Sequence, residues 1–412
     1  MEDVDPLSYS SSVSGRKDSC QWIAVIAKEL EMMKNLEVWD VVDLEPHHKV
    51  VGTTWVFRRK KNPINQTKYK VQLCAQGFAQ TLGEDYSKTF SPTGKMHSLR
   101  TLIAFFVTNG LKFQQLDIRS AFLNAKLEES AIYGIKQAPL AWYNRLTAWL
   151  KNTGFTALLS NPCVFYHAKN SPIWLFFHID DIAVFGKDVE PLKNQLKSEF
   201  DVKDMGNAEV MLGIQMIQAL EGLVLSQAHY IKSVLVLYGM ENCRPVATPM
   251  VPGIHLTEAS LDQQVAFKKL GVNYRSTIGS LSYLSTVTRP DILFSTRRSV
   301  TGFIVTFNGC LVIWKTRKQP TVSLSTAEAE YKALTDLSAE LLWLRKFIQE
   351  LALHQVEGPI YVFSNNQACI NTANSDSNCN NWRMKHVEIQ LHFIREVISQ
   401  KCWNAELKVA FH

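Results

Sequence analysis

The sequence predicts an α+β protein of more than one domain. Three observations carry that prediction. The chain has 412 residues, which at ~150 residues per domain suggests two or three domains. Strand-like runs come as hairpins joined by turn residues, with helical runs between and after them. Hydrophobic residues make up 46% and charged residues 20%, a globular balance that excludes wholesale disorder, collagen and low-complexity fibre. There is no internal repeat.

Taken in order, residues 6–18 are Ser-rich and polar and read as extended or disordered. Gln21–Asn35 has helical spacing, with Trp22, Val25, Ile26, Leu30 and Met33 on one face. Val50–Lys60 and Lys70–Cys74 read as a basic β-hairpin across the turn chemistry of 62–67. Ser98–Asn109 reads as a buried helix, and Phe113–Leu116 as a strand ending on Asp117. Ala138–Leu150 is helical. Val164–His167 and Ile173–Ile179 are strands, and Ile182–Phe185 resumes the pattern after Asp180-Asp181, giving a hairpin with two acids at its tip. Pro191–Phe200 is helical, and 247–265 reads as a linker rich in Pro, Gly and Thr. Residues 301–412 read as β-β-α-β-α, opened by a hairpin through Asn308-Gly309, a strong turn signal.

Charge is uneven. The total is +6, yet residues 1–50 hold 5 Lys/Arg against 10 Asp/Glu, whereas residues 51–112 hold 10 against 2. A basic stretch of that kind suits a polyanion, or is simply a solvated face. The 8 cysteines form no CxxC and no zinc spacing. No charged-then-apolar leader opens the chain, and its apolar runs fall short of the ~20 residues a membrane span needs. The expectation is an intracellular, soluble, reduced protein without membrane contact.

Adjacent acids between apolar strand segments are costly unless something pairs with them or water reaches them. Asp180-Asp181 therefore reads either as a metal site or as an exposed turn, and Asp117 is similarly ambiguous alone. Together the three fit in-line phosphoryl transfer, which uses two divalent ions ~4 Å apart on hard oxygen ligands.

The motifs resemble one family. WVFRRK (55–60), KYKVQLCAQGFAQ (68–80), DYSKTFSP (85–92), QLDIRSAFLNAKLEE (115–129), YGIKQAPLAWY (133–143), HIDDI (178–182), MLGI (211–214), LSTAEAEYKAL (324–334) and KHVEIQLHFIRE (385–396) follow the order of the reverse transcriptase–RNase H part of copia-type LTR retrotransposon polyproteins. The resemblance implies a right-hand polymerase fold (palm, fingers and thumb) followed by an incomplete α/β RNase H-like domain. It divides the chain into an acidic lead (1–45), a reverse transcriptase-like region (46–246), a thumb or connection linker (247–295) and a truncated RNase H-like region (296–412).

The resemblance also assigns roles. Asp117, Asp180 and Asp181 match the catalytic metal ligands for two Mg²⁺. Phe122 matches the aromatic under the incoming sugar, although by itself it reads as a core ring. Gly134, Lys136 and Gln137 match the loop beside the nascent base pair, and Lys203 a basic position near the triphosphate. Met211–Ile214 resembles the turn that grips the primer. RNA template, DNA primer and deoxynucleoside triphosphates are the implied partners.

Departures are as informative. The family's insert between AFLN and YGLKQ is absent, so the region is shortened between 129 and 133. Gln72, Gln76, Leu140 and His178 stand where the family has Arg, Lys, Arg and Tyr. In the RNase H-like part the first acidic strand is missing at Ser295–Arg298, Glu330 matches the second ligand, neutral Asn365 replaces the third, and the fourth is expected beyond His412. That nuclease is expected to be inactive. Two readings of the whole follow: an RNA-directed DNA polymerase, or a catalytically dead remnant with at most weak nucleic-acid binding.

Overall fold

The computed structural model describes residues 5–39, 43, 45, 49–61, 67–111, 113–124, 133–168, 172–220, 222–249, 258–293, 301–317, 319, 323, 325–352, 360–374, 388–399 and 403–407. The readings made for 62–66, for the shortened segment at 129–132, for 250–257 and for Ser295–Arg298 lie outside these residues. The chain is α+β and forms two compact units. One contains 1–94, 113–157 and 162–207. The other contains 95–112, 158–161 and 208–412.

In the first unit, β1 (Thr53–Lys61) and β2 (Thr67–Ala75) pair antiparallel as the basic hairpin. The helix Ser19–Asn35 lies on it. Trp22, fully buried, meets Phe57 and Tyr69 edge-on at 5.4 and 4.6 Å. Aromatic pairs of this geometry add to the stabilisation their buried area already gives. Arg59 donates to Asp18 at 2.7 Å beside Trp22, so one hairpin cation is neutralised by the acidic lead. Arg58 is exposed and stands opposite Lys70, a like-charge pair that costs the hairpin stability.

The main sheet of this unit has six antiparallel strands. They are β3 (Phe113–Ile118), β4 (Thr156–Ala157), β5 (Val164–His167), β6 (Ile173–His178), β7 (Asp181–Phe185) and β8 (Val202–Asn207), in the order β4-β5-β6-β7-β3-β8. Alternate residues Leu116, Ile118, Phe165, Leu175, Phe177, Ile182 and Val184 pack with Trp142, Leu146 and Leu150 of the helix Ala138–Asn152 and Leu192 and Leu196 of the helix Glu190–Glu199. By the same alternation, Gln115, Asp117 and Asp181 belong to the opposite face.

In the second unit, β9 (Val210–Met211), β10 (Ile214–Ala219) and β11 (Gly222–Ser226) form a small antiparallel sheet. The helices Met96–Thr108, Ala228–Leu237, Leu261–Lys269 and Tyr274–Val287 belong to this unit. The hairpin of β12 (Thr301–Phe307) and β13 (Cys310–Arg317) turns at Asn308-Gly309 with φ of 50° and 77°, the left-handed pair a two-residue turn requires. The helix Thr326–Ala352 and the helices Gln367–Asn374 and Glu388–Ser399 pack with that hairpin. The parallel pair β14 (Ile360–Ser364) and β15 (Trp403–Leu407) completes the unit, whose core includes Val312, Tyr331, Leu341, Val362 and Ile394.

Several elements differ from expectation. A helix Tyr9–Val13 forms where an extended segment was expected, because Ser8 and Ser11 cap it reciprocally. The helix Leu261–Lys269 begins inside the expected linker, capped by Ser260 and Gln263 in the same way. Asp117 lies within β3, not at its end. The 301–407 region gains the helix Gln367–Asn374 and the strand β15 beyond the expected β-β-α-β-α.

Candidate active site

The three acids lie on β3, on β7 and on the turn between β6 and β7. β3 and β7 pair so that Asp117 stands opposite Asp181, and Asp180 occupies the turn between β6 and β7. The Asp180 carbonyl accepts from Ile118 N–H at 3.0 Å, which ties the turn to the end of β3. Ile179, the first turn residue, has φ of 61°. A β-branched residue in that region is strained, and such strain persists only where surroundings enforce it. Trp142 supplies one constraint, since its indole N–H donates to the Ile179 carbonyl at 2.8 Å.

The electrostatics are stressed. Burial pushes the Asp117 carboxyl above the usual range and the Asp180 charge adds to it, while Lys203, Lys70 and Arg119 oppose the shift. Lys203 is the register partner of Asp117 on β8. Burial likewise raises Asp181, reinforced by Asp180 and Asp117 and opposed by the Gln115 amide, which donates to its Oδ1 at 3.1 Å. Among the described residues no three His, Cys, Asp or Glu side chains converge as a metal-binding group. The donor set nonetheless suits a hard divalent cation, because the half-buried Asp117 and Asp181 carboxylates with the exposed Asp180 beside them are hard oxygen donors that repel one another.

Gly134 has φ of 91°, and a Cβ there would sit 2.2 Å from the Ala75 carbonyl oxygen, so only glycine fits. Lys136 donates through Nζ to the Gln80 carbonyl at 3.1 Å and to the Tyr86 hydroxyl at 3.2 Å. Gln137 accepts from the Gln80 amide at 3.0 Å and donates to the Asp85 carbonyl at 3.2 Å. Phe122 packs against the core and meets Tyr133 edge-on at 6.1 Å. The Tyr133 hydroxyl is pushed up to about 12 by burial and bonds the side chains of Ser120 and Gln72. Thus the 134–137 loop is fastened to 75–86, and neutral Gln72 has a structural partner.

Residues 36–131 and 129–252 match the protein family described as reverse transcriptase (RNA-dependent DNA polymerase). The chain belongs to the reverse transcriptase family. It is of copia type, similar to the retrovirus-related Pol polyproteins from transposon TNT 1-94 of Nicotiana tabacum (29% identical over 97% of this chain and 36% of the relative) and from transposon RE1 of Arabidopsis thaliana (28%, 94% and 32%). An uncharacterized mitochondrial protein of Arabidopsis thaliana is 32% identical over 42% of this chain and 94% of its own length. The chain spans about a third of the length of the Pol polyproteins it matches. The first alignment runs over 489 residues against a chain of 412, so that relative carries residues with no counterpart here.

Glu330 and Asn365 line one cavity of about 560 Å³ in the second unit, which Cys369 also lines. Burial, aided by the Glu330 charge, pushes the Cys369 thiol up to about 12. Glu328 is buried and paired with Lys332 at 2.7 Å, a structural role. Met211 pairs with Ile214 around a turn in which Leu212 and Gly213 have φ of 51° and 76°, and the Tyr283 hydroxyl donates to the Leu212 carbonyl at 3.0 Å.

Sequence reasoning missed Gln115, Trp142 and Ile179. Gln115 was findable, since period-2 spacing puts it on the face of Asp117. The Trp142–Ile179 bond spans 37 residues and leaves no local signal. Among the described residues no helix is long and apolar enough to cross a membrane.

Proposed function

We propose that the six-stranded sheet is the palm of a copia-type RNA-directed DNA polymerase, with Asp117, Asp180 and Asp181 as its catalytic acids. The pairing of Asp117 opposite Asp181, with Asp180 on the strained turn beside them, carries this reading. In it the basic hairpin is the fingers, 247–295 leads through a thumb or connection, and 296–412 is an RNase H-like region lacking nuclease activity. The acids would hold Mg²⁺, which when bound lowers the pKa of the attacking primer hydroxyl and neutralises the leaving pyrophosphate.

The chain's own groups do the rest. Lys203, Lys70 and Arg119 offset negative charge at Asp117 and give the triphosphate a cationic surrounding. Phe122 stacks under the sugar and disfavours a 2′-OH. Gly134 fixes the loop at the nascent base pair, with Lys136 and Gln137 bracing it to 77–86. The substrates are an RNA template, a DNA primer and deoxynucleoside triphosphates.

A second reading is an inactive remnant. The match in two pieces meeting at 129–131 and the length mismatch with the relatives support a chain shortened within its palm and fingers. Primer extension on a homopolymeric RNA template with Mg²⁺ separates the two. Extension abolished by Asp180→Asn upholds the polymerase. Absence of extension, with template binding that weakens steeply with salt, upholds the remnant. Cleavage of the RNA strand of a hybrid that is lost in Glu330→Gln would overturn the inactive-nuclease assignment.

A further inference from the structure

The second unit contains a cavity of about 400 Å³ lined by the helix Met96–Thr108, β11, the end of the helix Tyr274–Val287 and the β12–β13 hairpin. Its walls are mostly apolar: Ile103, Val107, Leu223, Leu225, Leu311 and Trp314. Arg100 also lines it, and is only 7% exposed. Its Nε donates to the Val312 carbonyl at 2.8 Å, and Nη1 donates to those of Thr286 and Val287 at 3.0 and 2.9 Å. The guanidinium stacks over Trp314 at 3.7 Å, and the Trp314 indole is itself fixed by donation to the Ser285 carbonyl at 2.8 Å.

These contacts hold the guanidinium rigidly and satisfy two of its nitrogens. They do not neutralise it. A helix C-terminus offers about half a negative charge. Among the described residues no Asp or Glu lines the cavity, and the Arg100 hydrogen bonds engage Nε and Nη1 while Nη2 makes none. Burial lowers its pKa to about 10, which still leaves it cationic at neutral pH. The polar neighbours are already engaged. Thr108 accepts from Asn308 and donates to the Ala104 carbonyl, and Thr288 donates to Gln227. A pocket of this size, apolar with one preorganised cation carrying a free donor, is built for a particular chemistry.

We propose that this cavity binds a small amphipathic carboxylate, its apolar body against Leu223, Leu225 and Trp314 and its carboxylate on Arg100. Cys310 lines the same cavity and is an exposed free thiol, so it reports occupancy.

The test is iodoacetamide alkylation of the full chain, read at each cysteine by peptide mass spectrometry, with octanoate, octanol or octylamine present. Cys20 and Cys243, exposed elsewhere, are internal references. Octanoate slows Cys310 several-fold without affecting the references, octanol slows it less, and octylamine does not. Arg100→Met abolishes the advantage of octanoate over octanol. Leu225→Trp fills the cavity while leaving the Arg100 bonds in place, and removes protection by both. That second variant decides the matter if Arg100→Met does not fold. No protection by octanoate, or equal protection by octylamine, overturns the proposal.

Discussion

Trp142→Phe tests whether the acid-bearing turn is held in strain by the core beneath it. Trp142 is 1% exposed, and its indole N–H donates to the Ile179 carbonyl at 2.8 Å. Phenylalanine leaves that carbonyl without its donor, which costs about 1–3 kcal/mol for a buried group. It also leaves roughly 40 Å³ of unfilled volume, worth about 1 kcal/mol at ~24 cal/mol per Å³. The expected loss is about 2–4 kcal/mol. Trp149→Phe is the control: the ring lies on the same helix and also meets Phe200 edge-on (5.7 Å against 5.4 Å for Trp142), but it is half-buried. Its replacement should cost about 1 kcal/mol or less. Urea unfolding followed by circular dichroism measures both, and hydrogen exchange at 179–182 should accelerate only in Trp142→Phe. Equal destabilisation by the two variants, or unchanged exchange at the turn, would refute the reasoning. Because these readouts need no turnover, they hold under either functional reading.

Asp117→Asn should stabilise the metal-free protein at pH 7, as relief of functional-site stress does. The Asp117 carboxyl is raised above its ordinary 3.8, so its stability penalty is absent below 3.8 and develops as pH rises from there to the raised folded value; the gain should vanish in urea midpoints taken at acid pH. Glu29 is raised from 4.5 to about 7 by burial. Glu29→Gln should therefore remove a stability loss that develops between those values, about 1–2 kcal/mol after discounting for solvent screening, measured as a flatter stability–pH curve. Gly134→Ala should cost more than about 2 kcal/mol, because φ of 91° and the 2.2 Å approach to the Ala75 carbonyl both forbid a Cβ; a melting temperature within error of wild type would contradict this. Lys332→Met should cost about 1.5–3 kcal/mol by removing the cation paired with buried Glu328 at 2.7 Å, while Glu330→Gln should be nearly neutral, as thermal melts of the pair would reveal.

Local chemistry was legible in the sequence where it is encoded within a few residues. Asn308-Gly309 specified its hairpin, and Asp180-Asp181 announced a strand–turn–strand because apolar runs flank it. Alternation along QQLD put Gln115 and Asp117 on one face, yet their meeting with Asp181 depends on β3 inserting between β7 and β8, an order that no local pattern encodes. The parallel β14–β15 pair was illegible for the same reason, since its partners lie about forty residues apart. Ile179 was unreadable in a different sense. Its side chain favours extended backbone, and φ of 61° appears only because tertiary contacts overrule that preference. The short helix Tyr9–Val13 hid in a Ser-rich stretch because serines that cap a helix look, as composition, like serines that break one.

The two candidate sites differ in the stress they retain, and that contrast bears on function. Around Asp117 the chain keeps three acids, of which burial and mutual repulsion raise the half-buried Asp117 and Asp181, together with a strained turn that the core must hold in place. Neither feature contributes to stability. Replacing an acid with its amide would relieve the repulsion, and glycine at 179 would relieve the strain. In the cavity of the second unit no such stress is present, because the neutral Asn365 and Glu330 line it without a second acid among the described residues. Charge has also gone from the hairpin, where Gln72 serves Tyr133 and Arg59 is spent on Asp18, although Lys70 still acts on Asp117. A fold relaxing uniformly would shed stress at both sites. Under the proposed reading, stress kept at the sheet is what a polymerase site would need, and its absence at the cavity fits a region without nuclease activity.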